Sequence, residues 1–175
     1  DDSVVRVIKA GSAGEAVQMV RRARGYAPMP VPLKRKAEKN DAQSVIFAAG
    51  PEQKNTFTLT RDAEAFVSQH IGDMENAETY DAWLQAKDRY ETLFEITPTR
   101  LACDLHPEYL TSKWAHDESR ARKLPLTEVQ HHHAHMVSCM VDNGLEGECL
   151  GLIWDGTGYG TDGRTWGAEI LSGGY

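Results

Sequence analysis

The sequence predicts an α/β fold, with a first half-domain at residues 45–143 followed by the opening hairpin of a second half. Residues 45–143 alternate short apolar runs and helical patterns in the order strand, strand, strand, helix, strand, helix, strand, helix (βββαβαβα). A strand, a glycine-containing turn and a second strand occur together twice, around Gly50 and around Gly156. Prolines at positions 28, 30 and 32 separate this region from the residues before it.

The chain begins with the expected end of a preceding domain. Residues 4–11 alternate like a strand, and residues 12–25 show a helical pattern. The prolines that follow keep the backbone extended and interrupt regular structure. We therefore predict that this domain end covers residues 1–33, with a boundary near Leu33 and a linker at residues 34–44.

Each predicted element has its own pattern. Apolar residues recur every three or four positions through residues 77–94, which is typical of an amphipathic helix. Pro107 is compatible with the first turn of a second helix, and Gly144 ends a third. A strand at residues 149–155 leads into a glycine-rich turn and an alternating partner strand at residues 164–171. The other predicted strands are residues 44–50, 56–60, 65–70, 100–104 and 126–130, and the helices are residues 77–94, 107–117 and 131–143.

Composition and charge exclude several classes of protein. Apolar residues make up 41% and charged residues 26% of the chain, which argues against disorder, and the apolar runs are too short to cross a bilayer. The net charge is -7 and the only basic run, at residues 33–39, is short, so neither a nucleic-acid nor a membrane partner is expected. The start lacks Met and a signal-peptide pattern, so we expect part of a longer, cytoplasmic protein.

The three cysteines are Cys103, Cys139 and Cys149, which are widely spaced and lie in apolar surroundings. An odd number at such spacings does not indicate a disulfide framework. We therefore expect buried thiols in a reducing compartment.

Two halves that each open with a strand, a glycine turn and a strand are the layout of actin-like proteins, sugar kinases and chaperone ATPases. In that layout both hairpins hold phosphates across a cleft, because glycine permits positive φ and lets backbone N–H groups approach phosphate oxygens. The alternative for the glycine-rich segment is a long decorated hairpin. The alternative for Lys54 is an ordinary solvated side chain. Candidate phosphate contacts are Lys54 and Asn55 in the first hairpin and Gly156, Thr157, Gly158, Tyr159 and Gly160 in the second.

Four of the seven histidines lie within residues 131–135, at the start of a predicted helix. His131 and His135 are four residues apart, so both rings project from one helix face and can bind one metal. His132 and His135 form the rival pair, and the spacing leaves both pairs open, while His133 is expected to point elsewhere. An isolated pair would more often be surface or core histidines, whereas four in five residues favour a site. The adjacent glutamate of H-E-x-x-H is missing, so peptide hydrolysis is not expected.

A carboxylate is expected to complete the metal shell. Asp155 is the best candidate because it ends an apolar strand that is expected to be buried, where an unpaired charge would be costly. The alternative is an aspartate that caps a turn. Asp104, His70 and His106 also follow strand signals where a cleft would lie, although each alone is more often structural. Two imidazoles and a carboxylate suit iron or zinc.

Six stretches carry a family resemblance: R-R-A-R-G-Y-A-P, K-N-T-F, S-Q-H-I-G-D-M-E-N-A-E-T, D-L-H-P-E-Y, V-Q-H-H-H-A-H and D-G-T-G-Y-G-T-D-G. In these stretches and their order the sequence resembles the hydrogenase-maturation carbamoyltransferases called HypF, over nearly the whole chain. The resemblance implies the end of a YrdC-like α/β domain at residues 1–33. It also implies, at residues 45–175, the N-terminal part of an actin-like (ASKHA) carbamoyltransferase domain similar to TsaD, the universal tRNA threonylcarbamoyl-adenosine transferase.

The resemblance implies a reaction as well. In that family carbamoyl phosphate and ATP, with Mg²⁺ accompanying ATP, give a carbamoyl-adenylate in the YrdC-like domain. The carbamoyl group is then handed to the C-terminal cysteine of the partner HypE, on the route to the cyanide ligands of nickel-iron hydrogenase. By resemblance, His131 and His135 match the metal-binding pair, Asp155 matches a further ligand, and the glycines at 156, 158 and 160 match the phosphate-facing turn.

The sequence also departs from the family. Pro51 and Gln53 replace residues that are more usual in the first hairpin. The domains that normally precede are absent, as is the second half with a late aspartate ligand, so we expect this chain alone to be inactive and its exposed apolar surface to associate. Two alternatives stay open: an actin-like ATPase or kinase without carbamoyl chemistry, and a non-catalytic docking module that responds to nucleotide and metal.

Overall fold

The computed structural model describes residues 2–9, 14–33 and 44–175. The helices are α1 (Ala77–Phe94), α2 (Leu110–Arg122) and α3 (His131–Asn143). The strands are β1 (Val4–Lys9), β2 (Glu15–Arg21), β3 (Val31–Pro32), β4 (Ile46–Ala48), β5 (Thr58–Arg61), β6 (Glu64–Val67), β7 (Arg100–Asp104), β8 (Leu126–Val129), β9 (Cys149–Ile153), β10 (Gly158–Tyr159), β11 (Thr165–Trp166) and β12 (Glu169–Gly173). The predicted βββαβαβα order is confirmed from β4 to α3.

A six-stranded sheet lies at the centre of the fold, with the strand order β3-β6-β5-β4-β7-β8. Strands β4, β5 and β6 pair antiparallel, whereas β4, β7 and β8 run parallel. Neighbouring parallel strands end at the same edge of a sheet, and here Asp104 at the end of β7 lies opposite Val129 at the end of β8. Because α3 begins at His131, its first turn lies at this edge.

Helix α1 packs against the sheet through one face. Trp83, Ala86 and Tyr90 are buried at helical spacing, which confirms the amphipathic prediction. The helix begins after Asn76, whose side-chain oxygen accepts a hydrogen bond from the Thr79 N–H at 2.7 Å. Full burial of an apolar side chain contributes about 1.5–3 kcal/mol to folding, so the aromatic core dominates the stability of this layer. That core includes Phe47, Phe57, Leu59, Phe66, Met74, Trp83, Tyr90 and Leu101.

The predicted helix at residues 12–25 is wrong. Residues Glu15–Arg21 form β2, which pairs antiparallel with β1 and places Val17 opposite Val7. The β-branched residues Val17 and Val20 fit a strand at least as well as a helix, and the neighbouring strand satisfies their backbone groups. Residues 10–13 and 34–43 lie outside the described part of the chain, and so does the predicted linker apart from Ser44.

Several predicted boundaries also change. Helix α2 begins at Leu110 rather than at Pro107, with Tyr109 as its N-cap. The partner of β9 is β12, which lies further along the chain than most of the predicted strand at residues 164–171. Residues Thr165–Trp166 instead form β11 and pair with β10 in a separate ribbon. Within the described ranges no helix has both the length and the apolar character that crossing a bilayer requires.

The prediction of three buried thiols holds for one cysteine. Cys103 is buried in β7, Cys149 is partly buried and Cys139 on α3 is exposed. Burial of Cys103 raises its pKa to about 11. Cys139 is exposed because the buried face of α3 is formed by His132, Met136 and Met140, at intervals of four residues.

Candidate metal centre

The first turn of α3 is fixed by its N-cap. The Gln130 side-chain oxygen accepts a hydrogen bond from the His133 N–H at 2.9 Å, and its amide nitrogen donates to the Tyr159 carbonyl at 3.3 Å. The helix ends at Gly144, which has a φ of 61° and adopts the left-handed conformation that glycine favours. Gln130 was not singled out from the sequence, because glutamine is not among the residues that usually mark a helix N-cap.

His131, His135 and Asp155 come together at the start of α3. His131 Nε2 lies 3.0 Å and His135 Nε2 lies 3.4 Å from Asp155 Oδ2. The two imidazole Nε2 atoms are 3.3 Å apart. Of the two pairings that the spacing left open, the structure brings His131 and His135 together with Asp155.

The structure gives Asp155 its place for a different reason from the one predicted. Strand β9 is not buried on both faces, since Leu150 is 70% and Leu152 is 56% exposed. Asp155 lies two residues after the end of β9, and its side chain is 34% exposed. Helix α3 packs against the other face of β9, since Met136 of α3 and Ile153 of β9 belong to one hydrophobic cluster. This packing brings Asp155 beside the first turn of the helix.

Asp104 joins the cluster from the neighbouring strand. Its Oδ2 lies 2.6 Å from His131 Nδ1, and its side chain is only 7% exposed. The sequence placed Asp104 at a strand end but did not predict a contact with His131. The available signal was the topology, because adjacent parallel strands bring Asp104 and the start of α3 to the same edge.

The electrostatics of the three groups differ. The hydrogen bond to Asp104 raises the pKa of His131. Burial, together with the nearby His131, lowers the pKa of His135. Burial alone would raise the pKa of Asp155, but the Gly156 N–H and the neighbouring histidines outweigh it and hold that pKa below its ordinary value. Asp155 is therefore a carboxylate at neutral pH.

The donor set fits a divalent metal. Two imidazole nitrogens and a carboxylate oxygen all lie within 4.8 Å of one another. Ligand atoms at about 2.0–2.1 Å from a tetrahedral zinc ion are about 3.3 Å apart, and the three observed separations are 3.0, 3.3 and 3.4 Å. Iron(II) accepts the same ligand types. The arrangement of His131, His135 and Asp155 is thus compatible with either ion.

The other histidines occupy different environments. His132 is fully buried, and its Nε2 has no hydrogen-bond partner among the described residues. His133 points away from the cluster, as expected, and its Nε2 lies 3.2 Å from the Gly174 carbonyl. His106 stacks on Tyr109, with ring centroids 4.2 Å apart, and also contacts Tyr159 at 5.1 Å. The His70 backbone N–H donates to the Arg22 carbonyl at 2.7 Å.

The histidine pair borders a cavity of about 390 Å³. The first hairpin turn contributes Gly50, Pro51 and Thr56 to its wall, and α3 contributes His131 and His135. The cavity thus lies between the first glycine turn and the pair His131 and His135, where a small ligand can contact both.

The glycine turns are built differently from one another. Gly50 has a φ of 76°, and a Cβ there would meet the Thr56 carbonyl oxygen at 2.1 Å, so only glycine fits. The expectation of positive φ is wrong for the glycines at 156, 158 and 160; of the glycines in this turn, Gly163 has a positive φ, of 74°. The Gly160 N–H donates to the Arg164 carbonyl at 2.7 Å.

The two candidate residues of the first hairpin have distinct positions. Asn55 is fully buried, and its side-chain amide donates to the carbonyls of Ala49 at 3.0 Å and Pro51 at 2.6 Å. Those bonds hold the turn around Gly50. Lys54 is exposed, and its backbone N–H donates to Asp73 Oδ1 at 2.7 Å.

Comparison with known proteins gives consistent matches. A family model described as "HypF Kae1-like domain" matches residues 41–142. "Carbamoyltransferase HypF" of Synechocystis sp. is 40% identical over 172 residues, which cover 98% of this chain and 21% of that protein. "Carbamoyltransferase HypF" of Rhizobium leguminosarum bv. viciae is 42% identical over 171 residues, again 98% of this chain and 21% of the relative.

A solved structure shares the fold as well as the sequence. The "Crystal structure of full-length HypF in the phosphate- and nucleotide-bound form" is 44% identical, with a TM-score of 0.85 over 98% of this chain and 21% of that one. The chain therefore spans about a fifth of the length of the HypF proteins it matches. On the match of residues 41–142 and these identities, the chain belongs to the HypF carbamoyltransferase family and includes its Kae1-like region.

Proposed function

We propose that the chain supplies part of the transfer site of a hydrogenase-maturation carbamoyltransferase, and that His131, His135 and Asp155 hold one divalent metal, iron or zinc, in that site. The observation that carries the proposal is the convergence of the three donor atoms within 4.8 Å, with His131 and His135 lining the cavity. The names of the relatives support the reaction type.

In the proposed reaction, carbamoyl phosphate and ATP with Mg²⁺ give a carbamoyl-adenylate in a YrdC-like domain, of which residues 1–33 would be the end. The acceptor is the C-terminal cysteine of HypE. Its thiolate sulfur forms a bond to the carbamoyl carbon, and the bond from that carbon to the phosphate oxygen breaks and releases AMP. The thiocarboxamide then leads to the cyanide ligand of nickel-iron hydrogenase.

The residues of this chain have separate parts in that proposal. His131 and His135 line the cavity and Asp155 lies beside them. These three residues are proposed to hold the metal next to the adenylate phosphate. The bound metal would offset the negative charge that develops on the leaving phosphate. Lys54 and residues 156–160 are proposed to contact phosphate from the two hairpins, and Asn55 holds the first turn in shape.

The test uses full-length HypF with exchanges equivalent to His131→Ala and His135→Ala. We expect transfer of carbamoyl to the acceptor cysteine to fall by more than about 100-fold. The loss of a metal ligand has a larger effect than the loss of a residue that only forms a hydrogen bond to a ligand. ATP cleavage that depends on carbamoyl phosphate is expected to persist, because it occurs in the other domain. The equivalent of His116→Ala is the matched control, since His116 forms only a half-exposed pair with Glu128.

The outcomes distinguish the proposal from the other two functions. Wild-type transfer in both cluster variants would contradict the metal assignment. Phosphoryl transfer or ATP cleavage without carbamoyl phosphate would favour an actin-like kinase or ATPase. Binding of nucleotide and metal without a labelled acceptor would favour a docking module.

A further inference from the structure

We propose that Asp104 is a positioning residue for the candidate metal ligands His131, His135 and Asp155. Its carboxylate keeps the proton of His131 on Nδ1, so that Nε2 keeps a free lone pair that faces Asp155 and His135. Asp104 Oδ2 lies 2.6 Å from His131 Nδ1, and His131 Nε2 lies 3.0 Å from Asp155 Oδ2. The inference rests on the proposed metal role of the cluster. It assigns Asp104 no direct contact with the metal.

Asp104 is itself held in place. Its second carboxylate oxygen, Oδ1, accepts a hydrogen bond from the His106 N–H at 2.8 Å. Its backbone carbonyl accepts one from the Ser112 hydroxyl at 2.9 Å. The side chain is 7% exposed, so water has little access to either oxygen. The carboxylate therefore presents Oδ2 to His131 in one fixed direction.

The position of one proton decides whether His131 can be a ligand. A neutral imidazole carries its proton on either Nδ1 or Nε2. A proton on Nε2 would be donated to Asp155 and would close the cluster without a metal. A proton on Nδ1 is donated to Asp104 and leaves Nε2 available. A buried carboxylate behind the ring favours the second state, as in metal sites in general.

The substitution Asp104→Asn inverts this preference in a defined way. The His106 N–H needs an acceptor, so the amide oxygen of the new side chain would occupy the Oδ1 position. The amide NH₂ then faces His131 Nδ1, which must accept a hydrogen bond and give up its proton. His131 would carry the proton on Nε2, and the metal would have to displace it.

The experiment has two readouts on the 175-residue chain. The first is the ¹⁵N chemical shifts of the His131 ring nitrogens in the metal-free chain at about pH 9, where imidazoles are neutral. The second is the dissociation constant for Zn²⁺ by calorimetry. Glu128→Gln is the matched control, because it removes a carboxylate 3.0 Å from another histidine, His116, on the protein surface.

We expect the wild type and Glu128→Gln to show the proton on Nδ1 and the same Zn²⁺ affinity. Asp104→Asn is expected to move the proton to Nε2 and to weaken Zn²⁺ binding by about 10–100-fold. A wild-type ring already protonated on Nε2 would overturn the inference without any variant, and so would unchanged Zn²⁺ affinity in folded Asp104→Asn. A proton shift in a chain that binds no Zn²⁺ would support the role of Asp104 on the ring and overturn the metal assignment instead.

Discussion

Gly158 packs against the buried ring of His132 so closely that a Cβ at position 158 would lie 2.7 Å from His132 Cε1 and 2.8 Å from Nε2. This contact, together with the hydrogen bond from Gln130 to the Tyr159 carbonyl, joins the glycine-rich turn to the first turn of α3. His132, which is not one of the three candidate ligands, thus contacts the turn from the helix that carries His131 and His135.

Gly158→Ala is therefore expected to destabilise the chain. The added methyl group must displace the His132 ring or the turn, and overpacking of this kind costs about 1–3 kcal/mol. Urea denaturation measures the change in the free energy of unfolding. Gly156→Ala is the control, because nothing lies within 4 Å of a Cβ at that position. Equal stability of the two variants would contradict the contact.

The cysteines are expected to differ in reactivity. Burial raises the pKa of Cys103 to about 11, so its thiol stays protonated at neutral pH and forms the nucleophilic thiolate only as the pH approaches that value. Cys139 is exposed on α3. At pH about 8, where an ordinary exposed thiol begins to ionise, iodoacetamide is expected to label Cys139 first and Cys103 only after unfolding. Mass spectrometry after labelling measures the rate at each cysteine. Equal rates at Cys139 and Cys103 would contradict the burial of Cys103.

Asn55 is expected to be a structural residue of the first turn. Asn55→Asp replaces the amide that donates to Ala49 and Pro51 with an acceptor, so both carbonyls lose their donor in a buried place. Each buried group left without a partner costs about 1–3 kcal/mol, and urea denaturation is expected to show at least that loss. Asn143→Asp, at an exposed position on α3, is the control. A stable Asn55→Asp chain with weaker nucleotide binding would instead favour direct contact with phosphate.

An exposed apolar strip on β9 and β12 is expected to drive association. It is formed by Leu150 and Leu152 of β9, Ile170 of β12 and Trp154, which follows β9. These side chains are 56–82% exposed, and Ile170 lies opposite Leu152 in the ladder. Light scattering on the chain is expected to show species larger than a monomer, and Leu152→Lys to reduce them. Leu93→Lys removes a leucine of similar exposure on α1 and is expected to change nothing. A monodisperse monomer would contradict this prediction.

Local sequence patterns were sufficient to predict much of the fold. The bounds of α1 follow from its apolar spacing, and the end of α3 follows from Gly144, because both signals lie within the segment itself. The strand β2 could not be recognised in the same way. Its valines are compatible with helix and strand alike, and the pairing with β1 that decides between them lies outside the segment.

In the candidate site, too, local features could be predicted from the sequence and tertiary contacts could not. The spacing of His131 and His135 is local, so the pair could be proposed from the sequence. Asp104 is separated from His131 by a whole helix and strand, and only the parallel pairing of β7 with β8 brings them together. The packing of Gly158 on His132 is likewise a tertiary contact, which a pattern of glycines alone cannot indicate.

Equilibrium dialysis of the 175-residue chain against Zn²⁺ or Fe²⁺, followed by metal analysis, tests whether His131, His135 and Asp155 bind a metal. We expect one bound ion per chain in the wild type and in His116→Ala. We expect loss of that ion in His131→Ala, His135→Ala and Asp155→Ala, because each removes one of the three converging donors. Undiminished metal binding in folded His131→Ala and His135→Ala chains would contradict this expectation.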